Sequence, residues 1–221
     1  MRGGGDAPGV ILSTEADGDI AVEAPLVAIT RNQGRATSYN VVDFLSVVKV
    51  HASGAVHINA PVTTDSALCI EGDSAVTIDA PMVARNATDS IAIQSSYGRL
   101  DIRDSVTLHA RPDSLGTLVI SGASIAIGAD IIASGLAEGE EVDISYNDAF
   151  EIDGGHIRAS GQTSSISPPI FVRCLCSDAN GDQSCDAGCN SDPAGVNSQT
   201  VEPSPTIVPS LLGLDSYICG F

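Results

Sequence analysis

Residues 67–84 read ALCIEGDSAVTIDAPMVA, and the way their apolar residues alternate decides how the rest of the chain is read. Three short runs stand out: Leu68-Cys69-Ile70, Ala75-Val76-Thr77-Ile78 and Pro81-Met82-Val83-Ala84. Within each run the apolar residues recur at every second position, which puts them on one side of a strand and the intervening residues on the other. Small and acidic residues separate the runs and suit turns.

The same three-run unit can be laid over most of the chain. First runs are Val10-Ile11-Leu12, Val48-Lys49-Val50, Leu68-Cys69-Ile70, Ile91-Ala92-Ile93, Leu118-Val119-Ile120 and Val142-Asp143-Ile144. Second runs are Ile20-Ala21-Val22, Val56-His57-Ile58, Val76-Thr77-Ile78, Leu100-Asp101-Ile102, Ile125-Ala126-Ile127 and Phe150-Glu151-Ile152. Third runs begin at Leu26, Val62, Met82, Val106, Ile131 and His156, each four residues after the last apolar residue of the second run. Three of these fixed corners read Ala-Pro (Ala24-Pro25, Ala60-Pro61, Ala80-Pro81), and proline, having no N–H for a ladder, belongs at a bend or at the first strand position. The other corners vary in length, the longest connection running from Ile29 to Ser46.

A period of about 20 residues marks a repeat architecture. Short strands with one fixed and one variable corner resemble a right-handed parallel β-helix. The fold class expected is therefore all-β, a β-helix of about six to seven three-strand coils with a disulfide-stapled irregular C-terminal cap. The β-helix is expected over residues 1–160, and residues 161–221 are expected to form a Cys/Pro/Ser-rich cap and tail packing on it. Ile170-Phe171-Val172 would open a seventh first strand. An antiparallel sandwich competes, but leaves the fixed corner unexplained. The pattern over residues 9–160 is similar to that of filamentous-haemagglutinin-like and autotransporter-passenger surface proteins and, in fold only, of pectin-lyase-like proteins. The first likeness implies a surface role, the second a polysaccharide chemistry.

Composition narrows the function classes. Aspartate and glutamate total 28 against 10 lysines and arginines, a net charge of −18, and Lys49 is the one lysine. Such a chain has no basic patch to neutralise phosphates, so nucleic acid and anionic membrane surfaces are excluded as partners. No apolar run reaches the ~20 residues of a membrane span, and MRGGGDAPG lacks a signal-peptide core. Six cysteines, five of them crowded between 174 and 219, indicate an oxidising, extracellular or cell-surface setting. The sequon Asn86-Ala87-Thr88 offers Asn86 for glycosylation. Nothing at the first strand resembles a cap, so either residues precede Met1 or Gly3–Gly9 folds over that end. The oligomeric state is left open.

Candidate sites follow from the strand phase. The outward residues of the first strands place His51 beside Glu71 and Lys49 beside Cys69, where a histidine oriented by a carboxylate could act as a general base. Lys49, His51 and Glu71 are therefore the catalytic candidates if the chain is an enzyme acting on polysaccharide. The clustered aspartates of pectin-lyase-like enzymes are missing, and the preferred reading is non-enzymatic. The third strands present a β-branched column, Val27, Thr63, Val83, Thr107, Ile132 and Ile157, expected to be a contact stripe covered by the 29–46 insertion, the C-terminal tail or a partner, with cover by the chain itself preferred. No cofactor is required, but Asp178, Asn180, Asp182 and Asp186 carry oxygen ligands in the manner of a calcium loop, without its sixth-position glycine or closing glutamate. The corner carboxylates Glu15, Asp17, Asp19, Glu71 and Asp73 offer weaker cation sites, although acidic turns are usually only solvated. Cys69, Cys174, Cys176, Cys185, Cys189 and Cys219 are assigned to disulfides, with Cys219 returning to Cys69. The function expected is an extracellular structural or adhesive protein binding a protein or carbohydrate ligand; the alternative is a lyase or hydrolase of polysaccharide.

Overall fold

The computed structural model describes residues 9–14, 18–29, 47–87, 91–110, 117–175, 194, 196 and 200–210. Nineteen strands are found among them, and every ladder between them is parallel. The first ladder joins β1 (Gly9–Ser13), β4 (Val47–Ala52), β7 (Leu68–Gly72), β10 (Ile91–Ser95), β13 (Leu118–Ile127), β15 (Val142–Ile152), β17 (Ile170–Leu175) and β19 (Thr206–Ser210). The second joins β2 (Ile20–Val22), β5 (Ala55–Ile58), β8 (Ala75–Ile78) and β11 (Arg99–Ile102) to the later halves of β13 and β15. The third joins β3 (Leu26–Ala28), β6 (Val62–Thr64), β9 (Met82–Ala87), β12 (Val106–Ala110), β14 (Ile131–Leu136), β16 (Ile157–Gly161) and β18 (Val201–Glu202).

This topology corrects the expected right-handed β-helix of separate three-strand coils. The strands belong to two sheets, not to three walls. One is a 12-stranded sheet whose nine-strand path β1-β4-β7-β10-β13-β11-β8-β5-β2 doubles back through β13, so that it nearly closes and its two ends come from neighbouring stretches of chain. The other is a separate seven-stranded sheet. The physical reason lies in β13 and β15, of 10 and 11 residues. At Ser121-Gly122-Ala123 the chain turns the corner by a register shift without leaving the ladder, so two runs read as separate strands become one.

Two further expectations change. The cap was to be irregular, yet β17, β18 and β19 extend both sheets beyond residue 160. No disulfide joins two described residues; Cys69 and Cys174 are each disulfide-bonded, and Cys176, Cys185, Cys189 and Cys219 lie outside the described residues. Register separates Cys69 from the level of Cys174 by four strand steps, through Ala92, Val119, Asp143 and Phe171. That is ~19 Å at ~4.8 Å per step, whereas disulfide Cα atoms lie within ~7 Å. These two cysteines therefore do not pair with each other.

A single apolar core fills the space between the sheets. Val48, Leu68, Ile91, Leu118, Val142 and Ile170 stack in one inward column of the first ladder, and Val62, Met82, Val106, Ile131 and Ile157 in one of the third. Burying each such side chain contributes about 1.5–3 kcal/mol. The proline corners work as their chemistry requires. Leu26 and Val62 donate N–H to the carbonyls of Pro61 and Pro81, each at 3.0 Å, so proline serves the ladder only as an acceptor. The last fixed corner is one residue longer than the others, because Gly154 at φ 86° takes up an extra position and the third strand begins at Ile157.

Candidate functional site

Each outward face of the sheets carries a row of side chains spaced by one strand. On the first ladder Ser13, His51, Glu71, Gln94, Ser121, Ser145 and Arg173 are successive register partners. His51 Nε2 stands 4.0 Å from Glu71 Oε2, and Lys49 lies opposite Cys69. Thus the three residues named as catalytic candidates share one surface. Asp73, at the corner just past β7, joins them: one ligand atom each from His51, Glu71 and Asp73 lies within 4.8 Å of the others.

The upper part of the same face holds a group that the sequence reading passed over. Arg173 reaches Glu141 Oε1 through Nη2 at 3.5 Å and Asp143 Oδ1 through Nε at 3.4 Å. Its guanidinium sits 4.8 Å from the Phe171 ring centre, a cation–π contact. Ser145 Oγ donates to Asp143 Oδ1 at 3.2 Å. Burial pushes both carboxyls above their ordinary values; at Glu141 the nearby Asp143 charge adds to this, and at both the Arg173 charge acts in the opposite sense. Alternation puts Asp143 in the outward row, but Arg173 lies just beyond the Ile170-Phe171-Val172 triplet, so the triplet gives no sign of the pair.

Outward direction on this face does not mean exposure. Cys69 and Asp143 are 4% exposed and Val119 6%, although register turns all three away from the core. On the second ladder, outward His57, Thr77, Asp101 and Ala126 are half-buried and Glu151 is exposed. There Arg103 bridges Asp79 at 3.4 Å and Asp101 at 3.2 Å, exposed pairs worth ~0–1 kcal/mol each.

The β-branched column of the seven-stranded sheet is present with one substitution. Val27, Thr63, Val83, Thr107 and Ile132 are successive register partners, but the next position is Arg158. Ile157 points inward and is fully buried, a consequence of the longer glycine corner. Val27 is 56% exposed and the other four are half-buried.

The remaining sequence candidates are quickly placed. Asn86 lies in β9. Asp178, Asn180, Asp182 and Asp186 fall outside the described residues, as do the four cysteines named above. His156 Nδ1 pairs with Asp130 Oδ1 at 3.0 Å on an exposed corner. The one cavity worth naming among the described residues is a shallow opening of about 390 Å³ lined by residues of 159–168 with Glu202 and Pro203; it contains neither a histidine nor an arginine. No helix among the described residues is long and apolar enough to cross a membrane. Comparison with known proteins gives no likeness to argue from: no family model, no curated protein and no solved structure matches this chain.

Proposed function

We propose that this chain is a non-enzymatic, extracellular or cell-surface structural or adhesive protein that binds a protein partner through the outer face of its seven-stranded sheet. The observation that carries this reading is the open column Val27, Thr63, Val83, Thr107 and Ile132, a flat β-branched surface that the described chain leaves partly in water. Stiff side chains lose little rotamer freedom on being covered, and a contiguous apolar stripe of this kind favours contact with a complementary protein surface. Sugar rings stack best on aromatic faces, and the column has none. A net charge of −18 favours a neutral or basic partner.

The test is saturable binding of the purified chain to a panel of immobilised matrix proteins and of neutral and acidic glycans. Thr63→Glu combined with Thr107→Glu is expected to weaken binding to a protein of the panel at least ~10-fold, since like charges would then be buried on one stripe. Binding confined to glycans, or unchanged by the pair, counts against the proposal, as does the absence of saturable binding.

A second reading, a polysaccharide-active enzyme, has one observation in its favour: the approach of His51 to Glu71. Turnover of a neutral or acidic polysaccharide that Glu71→Gln abolishes would replace the first reading with this one.

A further inference from the structure

We propose that His51, Glu71 and Asp73 form a binding site for a zinc-class divalent cation on the long sheet, independent of the adhesive face. The ligand atoms of the three side chains lie within 4.8 Å of one another, and His51 Nε2 is 4.0 Å from Glu71 Oε2. Zinc takes nitrogen and oxygen ligands at about 2.0–2.2 Å, so two ligands on one ion are ~3.4 Å apart at a tetrahedral angle. Closing the trio onto an ion therefore means shortening separations of 4.0–4.8 Å by about 0.6–1.4 Å.

The backbone is already fixed for this. His51 and Glu71 are register partners on β4 and β7, and the Asp73 N–H donates to the Ala52 carbonyl at 3.0 Å. The residue after His51 is thus tied to the corner that carries Asp73. The next corner bond, from Ser74 N–H to the Gly54 carbonyl at 3.1 Å, holds the same turn.

Charge supplies the second argument. Glu71 and Asp73 bring two carboxylates beside the His51 ring, and a divalent ion placed among them is attracted by both. Lys49 stands two residues back on the same face, opposite Cys69; it adds positive charge beside the site but does not enter the trio.

The donor set selects the metal. Calcium and magnesium prefer oxygen ligands throughout, whereas imidazole with carboxylate suits zinc, nickel and copper. Cys69, the softest donor on this face, is in a disulfide and unavailable to a metal. His51 and Glu71 keep 34% and 12% side-chain exposure, so water completes the coordination. A bound ion would staple β4 to β7 at their shared corner.

The experiment titrates the chelator-stripped full chain with Zn²⁺ by calorimetry and with Co²⁺ by visible absorption, with Ca²⁺ as the comparison ion. One equivalent of Zn²⁺ is expected, with Ca²⁺ at least ~10-fold weaker. His51→Gln and Asp73→Asn are each expected to lower Zn²⁺ affinity at least ~10-fold, with circular dichroism unchanged. His57→Gln, on the second-ladder face, and Asp182→Asn, in the calcium-like segment, should leave it as in the wild-type chain. Equal binding by wild type, His51→Gln and Asp73→Asn overturns the proposal. So does equal affinity for calcium, or loss of zinc binding in Asp182→Asn alone.

Discussion

Two outer faces of this molecule are made of the same kind of parallel strand and meet water differently. On the first ladder Cys69, Val119 and Asp143 point away from the core and are nonetheless buried. On the third ladder Val27, Thr63, Val83, Thr107 and Ile132 also point away from the core, and water reaches them. The open stripe is β-branched throughout, whereas the buried outward positions of the first ladder hold a carboxylate and a disulfide sulfur beside Val119. Strand alternation sets direction; it does not set what lies beyond the side chain. Burial of a polar residue that points outward therefore marks where this protein uses a surface internally, and the uncovered β-branched stripe marks where it offers one.

The comparison can be broken most severely at Cys69. Cys69→Ser is expected to cost about 2–4 kcal/mol through loss of its disulfide, whereas Val83→Ser on the open face should cost far less; chemical denaturation of both variants reads the difference. Non-reducing peptide mapping that finds Cys69 as a free thiol would remove the basis of the closed face. Next in size, Val119→Asn should destabilise by about 1–3 kcal/mol because it buries an amide without a partner, while Ile132→Asn should cost less than about 1 kcal/mol. Equal losses would mean that the two faces are equally covered.

Asp143 sharpens the contrast through pH. Its folded carboxyl is raised, chiefly by burial, so folding favours the neutral form. That contribution is fully present below the ordinary carboxyl value of 3.8 and is lost as pH rises through the raised value. Asp143→Asn should therefore melt a few degrees above the wild-type chain at neutral pH, with Arg173 keeping Glu141 as a partner. The gap should close below pH 3.8, and a gap that widens on acidification would refute the sign. The smallest stability change is expected for Thr63→Glu with Thr107→Glu, about 0.5 kcal/mol or less, and the effect of that pair is to be sought in binding.

Much of the architecture was legible because its signals are local. The triplets around Val48, Leu68, Ile91, Leu118 and Val142 gave both the strands and their inward phase, since a period of two leaves no other way to bury them. The pairing of His51 with Glu71 followed from the same register. What failed depended on corners. Ser121-Gly122-Ala123 looks like a break between strands and is a turn within one. Gly154-Gly155 looks like a corner of standard length and is one residue longer, which exchanged Ile157 for Arg158 on the stripe. Asp73 could be listed among acidic corners, but its approach to His51 rests on a turn whose geometry alternation does not specify.

The sequence by itself determined that the strands are short, parallel and stacked with small β-branched interiors, because alternation and a constant corner are properties of neighbouring residues. Only the tertiary structure decided that the stack is one nearly closed sheet and one separate sheet, that Arg173 reaches back to Glu141 and Asp143, and that Cys69, Val119 and Asp143 are buried on one outward face while the stripe on another meets water. Those outcomes depend on which distant segments meet and on what covers them, and a side chain's direction along its own strand carries no information about either.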